Sequence, residues 1–171
     1  MSKVSKERPL YENRREAISH ELRSVKKQFP ISHRKDEGTH MIRSFLSFVE
    51  EDLNLVNLFR GQAKNDNLDL EFADYSIKEP FDSTNADYIA RGITEQLKLA
   101  TITVCLYGPT TYTSKWVDWE LRKSLELGKP IMGVCLYSDG RVRFHPAPLE
   151  NRPRVAWNVA EIVRTMRQVV R

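Results

Sequence analysis

From Met41 onward the apolar positions of the chain change repeatedly between two spacings. Runs at period two, or with no polar break, occur at Met41 to Phe48, Leu68 to Phe72, Thr101 to Tyr107, Ile131 to Tyr137 and Val155-Ala156-Trp157, and each predicts a strand. The run Thr101-Ile102-Thr103-Val104-Cys105-Leu106-Tyr107 is apolar and β-branched throughout, the pattern of a strand covered on both faces. Between these runs the spacing becomes helical. Leu55, Val56, Leu58 and Phe59 mark a helix from about Asp52 to Ala63, and Ile89, Ile93 and Leu97 mark another that Asn85 can cap. Val117, Leu121 and Leu125 form the inward stripe of a third, opened by Thr113 or Ser114 and stopped by Gly128 and Pro130. Ile162, Val163, Met166 and Val170 belong to a last helix that starts in the capping-box-like Asn158-Val159-Ala160-Glu161. Ser138-Asp139-Gly140-Arg141 predicts a hairpin turn with Val142 and Phe144 alternating after it, and Pro146, Pro148 and Pro153 keep the following segment irregular.

Five alternations of strand and helix predict an α/β fold with helices on both faces of a parallel sheet. At this length the default is a flavodoxin-like five-stranded sheet in the order 2-1-3-4-5. The segment before Met41 does not share the pattern. Residues 9 to 29 place Ile18, Leu22, Val25 and Phe29 at helical spacing among arginines and lysines, and residues 30 to 39 read as a linker, so a basic N-terminal helix and linker (1–39) precede the main domain (40–171). Docking of that helix on its own domain or on another copy is the plainer role; attachment to an anionic membrane surface is the lesser one.

Charge sharpens this division. Of 27 Lys and Arg and 23 Asp and Glu, residues 1 to 39 hold ten and six, leaving seventeen of each sign and no net charge in the rest. The main domain therefore has no basic stripe of the kind that binds nucleic acid. The start, Met1-Ser2-Lys3-Val4-Ser5-Lys6, lacks the apolar core of a secretory signal, no apolar run approaches a bilayer-spanning length, and Cys105 and Cys135 lie within apolar strands as small hydrophobes. A cytoplasmic protein is the expectation.

The residues after each strand exclude several chemistries. There is no glycine-rich phosphate loop, no metal-ligand spacing among His20, His33, His40 and His145, and no serine elbow. A phosphoaccepting receiver would share the fold, and Glu50-Glu51-Asp52 after the first strand is similar to its metal site. The central strand, however, ends in Tyr107-Gly108 with no aspartate to phosphorylate. What remains is Ser114-Lys115-Trp116-Val117-Asp118-Trp119-Glu120-Leu121. Glu120 stands beside the apolar face in the first turns of a helix at the carboxyl end of a buried strand, where open α/β sheets bind ligands, and Trp116 and Trp119 can dry it. The plainer reading of such a glutamate is a solvated partner of the helix dipole, and of the two tryptophans, packing. Residues 73 to 84 form a polar connection longer than most βα loops and are a candidate functional loop.

These residues carry a family resemblance. Phe45-Leu46-Ser47-Phe48 followed by acids resembles the first-strand box of TIR domains, and Ser114 to Leu121 is similar to the Ser-x-Trp-x-x-x-Glu-Leu box of their third helix. More narrowly, the stretch from about Met41 to Pro148 resembles the TIR-like subunit of the bacterial Thoeris antiphage system. The resemblance implies that NAD is a substrate rather than a resident cofactor, that Glu120 is the catalytic glutamate of nicotinamide–ribose cleavage, and that no metal takes part. It further implies that the mobile loop at residues 73 to 84 shapes the pocket with Asp74, Tyr75, Phe81 and Asp82; Tyr75 and Phe81 stand where many TIR NADases carry a tryptophan. Trp116 joins them. Ser47, Phe48 and Glu51 are placed at the neighbouring strand end, within reach of the same pocket, although for Ser47 and Glu51 strand-end capping is the equal alternative. The implied partners are further copies of the chain in a homo-oligomer, a phage protein as trigger, and an effector reached through a diffusible ADP-ribose-derived signal, cyclic in the favoured form. The opposing implication is a non-catalytic TIR adaptor that works through TIR–TIR assembly and leaves Glu120 structural.

Overall fold

A computed structural model of the chain describes residues 42–65, 70–74 and 84–171. Five strands, β1 (Ile42–Ser47), β2 (Leu70–Asp74), β3 (Ile102–Tyr107), β4 (Ile131–Cys135) and β5 (Arg154–Ala156), form one sheet in the order β2-β1-β3-β4-β5 with every neighbouring pair parallel. Four helices connect or follow them: α1 (Leu53–Asn65), α2 (Ala86–Leu99), α3 (Lys115–Glu126) and α4 (Val159–Val169). This is the α/β architecture and strand order that the alternation of spacings predicts. The basic helix placed at residues 9 to 29 and the boundary at residue 39 lie outside the described residues.

Period-two alternation along the strands sorts the core into two layers. Ile42 and Leu46 of β1, Ile102, Val104 and Leu106 of β3 and Met132 and Val134 of β4 face α1 and α4, meeting Val56, Phe59, Ile162 and Met166. On the other face Cys105 and Tyr107 pack with Val117 and Leu121 of α3, while Phe45 packs with Ile89, Ile93 and Leu97 of α2. β3 is buried along its whole length, as its uninterrupted apolar run requires. Leu58, grouped with the apolar positions of α1 on spacing, instead points into solvent; the stripe of that helix runs through Val56, Phe59 and Ala63.

The ends of the helices follow local chemistry closely. Ser114 Oγ accepts from Val117 N–H at 3.3 Å at the start of α3, and Asn158 Oδ1 accepts from Glu161 N–H at 3.0 Å at the start of α4. Gly128, at φ +69°, supplies the left-handed residue that ends α3. Asn85 also precedes its helix, but with φ −96° and ψ −3° it has already entered the helical region, and its side chain makes no capping bond. Replacing Asn158 by alanine is expected to lower stability by about 1 kcal/mol, read as a shift of the denaturation midpoint at constant slope.

The hairpin expected after β4 does not form. One edge of β4 is taken by β3 and the other by β5 arriving in parallel, so a returning strand has no edge to pair with. The turn residues are satisfied locally: Asp139 ion-pairs with Arg141, and Gly140 takes φ +78°. Residues 142 to 146 then run without regular structure toward the short 3-10 turn Ala147–Leu149.

Candidate functional site

The carboxyl ends of β1 and β3 meet the start of α3, and two buried carboxylates converge there. Glu120 lies on the row of α3 beside Val117 and Leu121, which seat the helix on β3, so the packing of that stripe carries the glutamate inward to 3% exposure. Ser47, the last residue of β1 and 1% exposed, faces the same layer as Phe45 and donates its hydroxyl to Glu120 Oε2 at 2.5 Å. Below this contact a polar knot fixes the helix to the sheet. Ser124 Oγ donates to the Glu120 carbonyl at 2.7 Å and lies 2.8 Å from Thr103 Oγ1 on β3. Of these contacts it is the Ser47 hydroxyl that meets the carboxylate itself, a partner that offsets the cost of burying it.

The second carboxylate is Asp52, 3% exposed, at the end of the 3-10 turn Glu50–Asp52 that links β1 to α1. Tyr137, two residues beyond β4, donates its phenol to Asp52 Oδ1 at 3.0 Å. Thr111 Oγ1 reaches Asp52 Oδ2 at 3.4 Å while accepting from Gly108 N–H at 2.8 Å. Asp52 thus ties the exits of three strands together. Burial pushes its pKa above the usual 3.8, with Glu51 adding to the rise and the bonds from Tyr137 and Thr111 opposing it. The Tyr137 phenol is raised as well, by burial first and then by its bond to Asp52 and the charge there, which keeps it a donor. Both carboxylates act on Cys105 of β3, fully buried, whose thiol is pushed well above its usual range by burial and then by the charges of Glu120 and Asp52. A thiol held neutral in this way is packing material and no nucleophile.

The structure brings only some of the residues singled out from sequence to this edge. Ser47 and Glu120 are in contact. Trp116 stands one turn before Glu120 and meets Trp119 edge to face, with centroids 5.8 Å apart and planes at 88°; both pack toward Phe45, Ile89 and Ile93. The tryptophans therefore wall the α2 side of the helix that bears Glu120. Phe48 turns to the opposite layer, against the core beneath α1, with the Arg60 guanidinium 5.8 Å from its ring centroid. Glu51 is exposed. Asp74 ends β2, its Cα level with Leu46 and so one residue short of Ser47. Tyr75, Phe81 and Asp82 lie outside the described residues.

Sequence reasoning noted Asp52 only within the acidic run that is similar to a receiver's metal site, and it did not place Asp52 or its partners Thr111 and Tyr137 in the candidate site. One signal was present: three consecutive acids after a strand cannot all face water once a helix packs beneath them. Which of the three turns inward depends on the 3-10 turn. Among the described residues no group of three or more metal-ligating side chains is found, and no helix is long and apolar enough to cross a membrane.

Comparison with solved structures finds similarity in shape to a 3-dehydroquinate dehydratase-like protein from Bifidobacterium longum, at 13% identity and a TM-score of 0.47, covering 76% of this chain and 96% of that one. A CMP N-glycosidase from Clostridium botulinum aligns at 14% identity and a TM-score of 0.44, covering 74% of this chain and 98% of that one. No curated protein matches the chain. Residues 45–141 match the family model of the TIR-like domain of Thoeris protein ThsB, a stretch that begins inside β1 and contains Ser47, Asp52, Glu120 and Tyr137. Since that match spans more than half of the sequence and coincides with the strands and helices that build the two-carboxylate edge, the chain belongs to the family of Thoeris TIR-like domains, proteins of antiphage defence.

Proposed function

We propose that the protein cleaves the bond between nicotinamide and ribose in NAD and releases an ADP-ribose-derived signal, in cyclic form, to a downstream effector. The observation that carries this reading is the buried Glu120 carboxylate bonded to Ser47 at 2.5 Å, at the sheet edge where open α/β folds take ligands. The leaving group is neutral and departs from a cation, so the reaction asks for no general acid, unlike glycoside hydrolysis with two carboxylates. Glu120 holds the ribose hydroxyls and stabilises the oxocarbenium charge as it develops. In a site walled by Trp116 and the apolar layer of α2, that interaction is stronger than in water. Ser47 orients the carboxylate. NAD is here a substrate, further copies of the chain and a phage protein govern activation, and the loop at residues 73 to 84 contributes Asp74, Tyr75, Phe81 and Asp82 to the pocket.

The same observation also favours a second reading. Glu120 is almost wholly buried and already bonded to Ser47, which is also how a structural carboxylate in an assembling adaptor would look. Incubating purified protein with NAD, with and without lysate of phage-infected cells, and analysing products by mass spectrometry separates the two. Free nicotinamide together with an ADP-ribose-derived product is expected; intact NAD under all conditions would leave the adaptor.

A further inference from the structure

Tyr112 and Phe144 form an exposed aromatic pair on the carboxyl side of the sheet. Their ring centroids are 5.2 Å apart, their planes are inclined by 48°, and they are 46% and 60% exposed. Phe144 alone among the described phenylalanines stands in solvent.

The pair is braced. Tyr112 is the middle residue of the 3-10 turn Thr111–Thr113, whose Thr111 hydroxyl accepts from Gly108 N–H and reaches Asp52, and whose Thr113 hydroxyl donates to the Thr110 carbonyl at 2.8 Å. The turn then leads directly into the Ser114 cap of α3. A ring on a turn tied at both ends is presented in one place, the condition under which an exposed aromatic side chain binds at little entropic cost.

Its position relative to Glu120 is set by the sheet. Ser47, which bonds Glu120, ends β1; Thr111 comes after β3, the next strand; Tyr137 comes after β4, the one beyond. Tyr112 follows β3, one inter-strand step of about 5 Å from β1, and Phe144 follows β4, so the pair and Ser47 share the carboxyl edge of the sheet, where one extended dinucleotide can meet both. The pair also has the size of a base rather than of a protein contact. Two side chains fall far short of the roughly 800 Å² per partner that a stable interface buries. Two inclined rings next to the exposed hydroxyl residues Thr110 and Thr113 instead offer a stacking surface and hydrogen-bonding groups for a planar heterocycle.

We propose that Tyr112 and Phe144 are the platform on which the purine base of the dinucleotide stacks, an inference that rests on NAD being the substrate. The test compares kcat/KM for NAD with that for nicotinamide mononucleotide, which has the same scissile bond and no adenylate half. In the full-length chain, Phe144→Ala with Tyr112→Ala is expected to lower the ratio of the two by about tenfold, mostly through KM for NAD, within the range of losing one base–aromatic stack. Phe144→Tyr and Tyr112→Phe are expected to keep the ratio within about twofold, since a ring remains at each position. An equal fall for both substrates, or no fall, overturns the platform. So does a change in oligomeric mass with the ratio unchanged, which would assign the pair to contact between copies. Binding of AMP, followed by NMR without turnover, separates this idea from the substrate reading. Should the wild-type chain bind AMP and the double variant bind it about tenfold more weakly, while NAD is never cleaved, the platform stands and the cleavage reading falls; absence of AMP binding by the wild type overturns the platform.

Discussion

Glu120→Gln is expected to reduce NAD cleavage by about a hundredfold or more while moving the melting temperature little, the scale of losing one preorganised electrostatic contact at a developing charge. The separation of the two readouts has a geometric cause. Glutamine keeps the shape that packs beside Val117 and Leu121 and retains an oxygen to accept from Ser47, so the cost to folding is small. Only the charge is lost. If that charge serves solely to hold Ser47, kcat is unaffected, and turnover equal to wild type would remove Glu120 from the chemistry. Ser47→Ala provides the companion measurement: it removes the hydroxyl that orients the carboxylate and keeps the carboxylate itself, so its loss of activity should be smaller than that of the glutamine variant.

The second large effect is expected at Gly108. A methyl group there would stand 2.6 Å and 2.8 Å from the two Asp52 carboxylate oxygens and 2.9 Å from Cε2 of Tyr137, distances that real carbon atoms do not adopt. Neither neighbour can retreat freely, since Asp52 is buried and each holds the other by the 3.0 Å bond. Gly108→Ala is therefore expected to destabilise the fold by about 1 to 3 kcal/mol, the range of overpacking, measured by denaturant unfolding. It should also separate the Asp52 clamp from the turn that leads into α3, so activity falls further than stability alone accounts for. Unchanged stability would mean that the strand exits are not locked by Asp52. The pH dependence gives an independent check. Because the folded pKa of Asp52 is raised, the native state holds the proton more tightly than the unfolded chain. Its contribution is therefore full below 3.8 and is lost as pH rises through the folded value. Asp52→Asn is expected to remove that part of the pH dependence of stability.

Much of the architecture was legible from spacing alone, because apolar periodicity is a local consequence of backbone geometry. β3 announced itself by an uninterrupted apolar run, α3 by Val117 and Leu121 at one-turn spacing, and the cap of α4 by Asn158 with Glu161. Glu120 was legible too, as a carboxylate on the edge of an inward stripe, and so was the parallel sheet that puts its helix at the ligand-binding side. Only the tertiary structure decided what Glu120 touches. Ser47 is 73 residues away, and Tyr137 is 85 residues from Asp52, so neither pairing has a local signature. Choosing Asp52 over Glu50 and Glu51 depended on the phase of a three-residue 3-10 turn, which periodicity cannot set over so short a span. The hairpin after β4 was locally reasonable and globally blocked, since β5 occupies the only edge it needed. Local spacing determines which face of each element is buried, whereas strand order determines which buried faces, and hence which polar side chains, are brought together at the sheet edge.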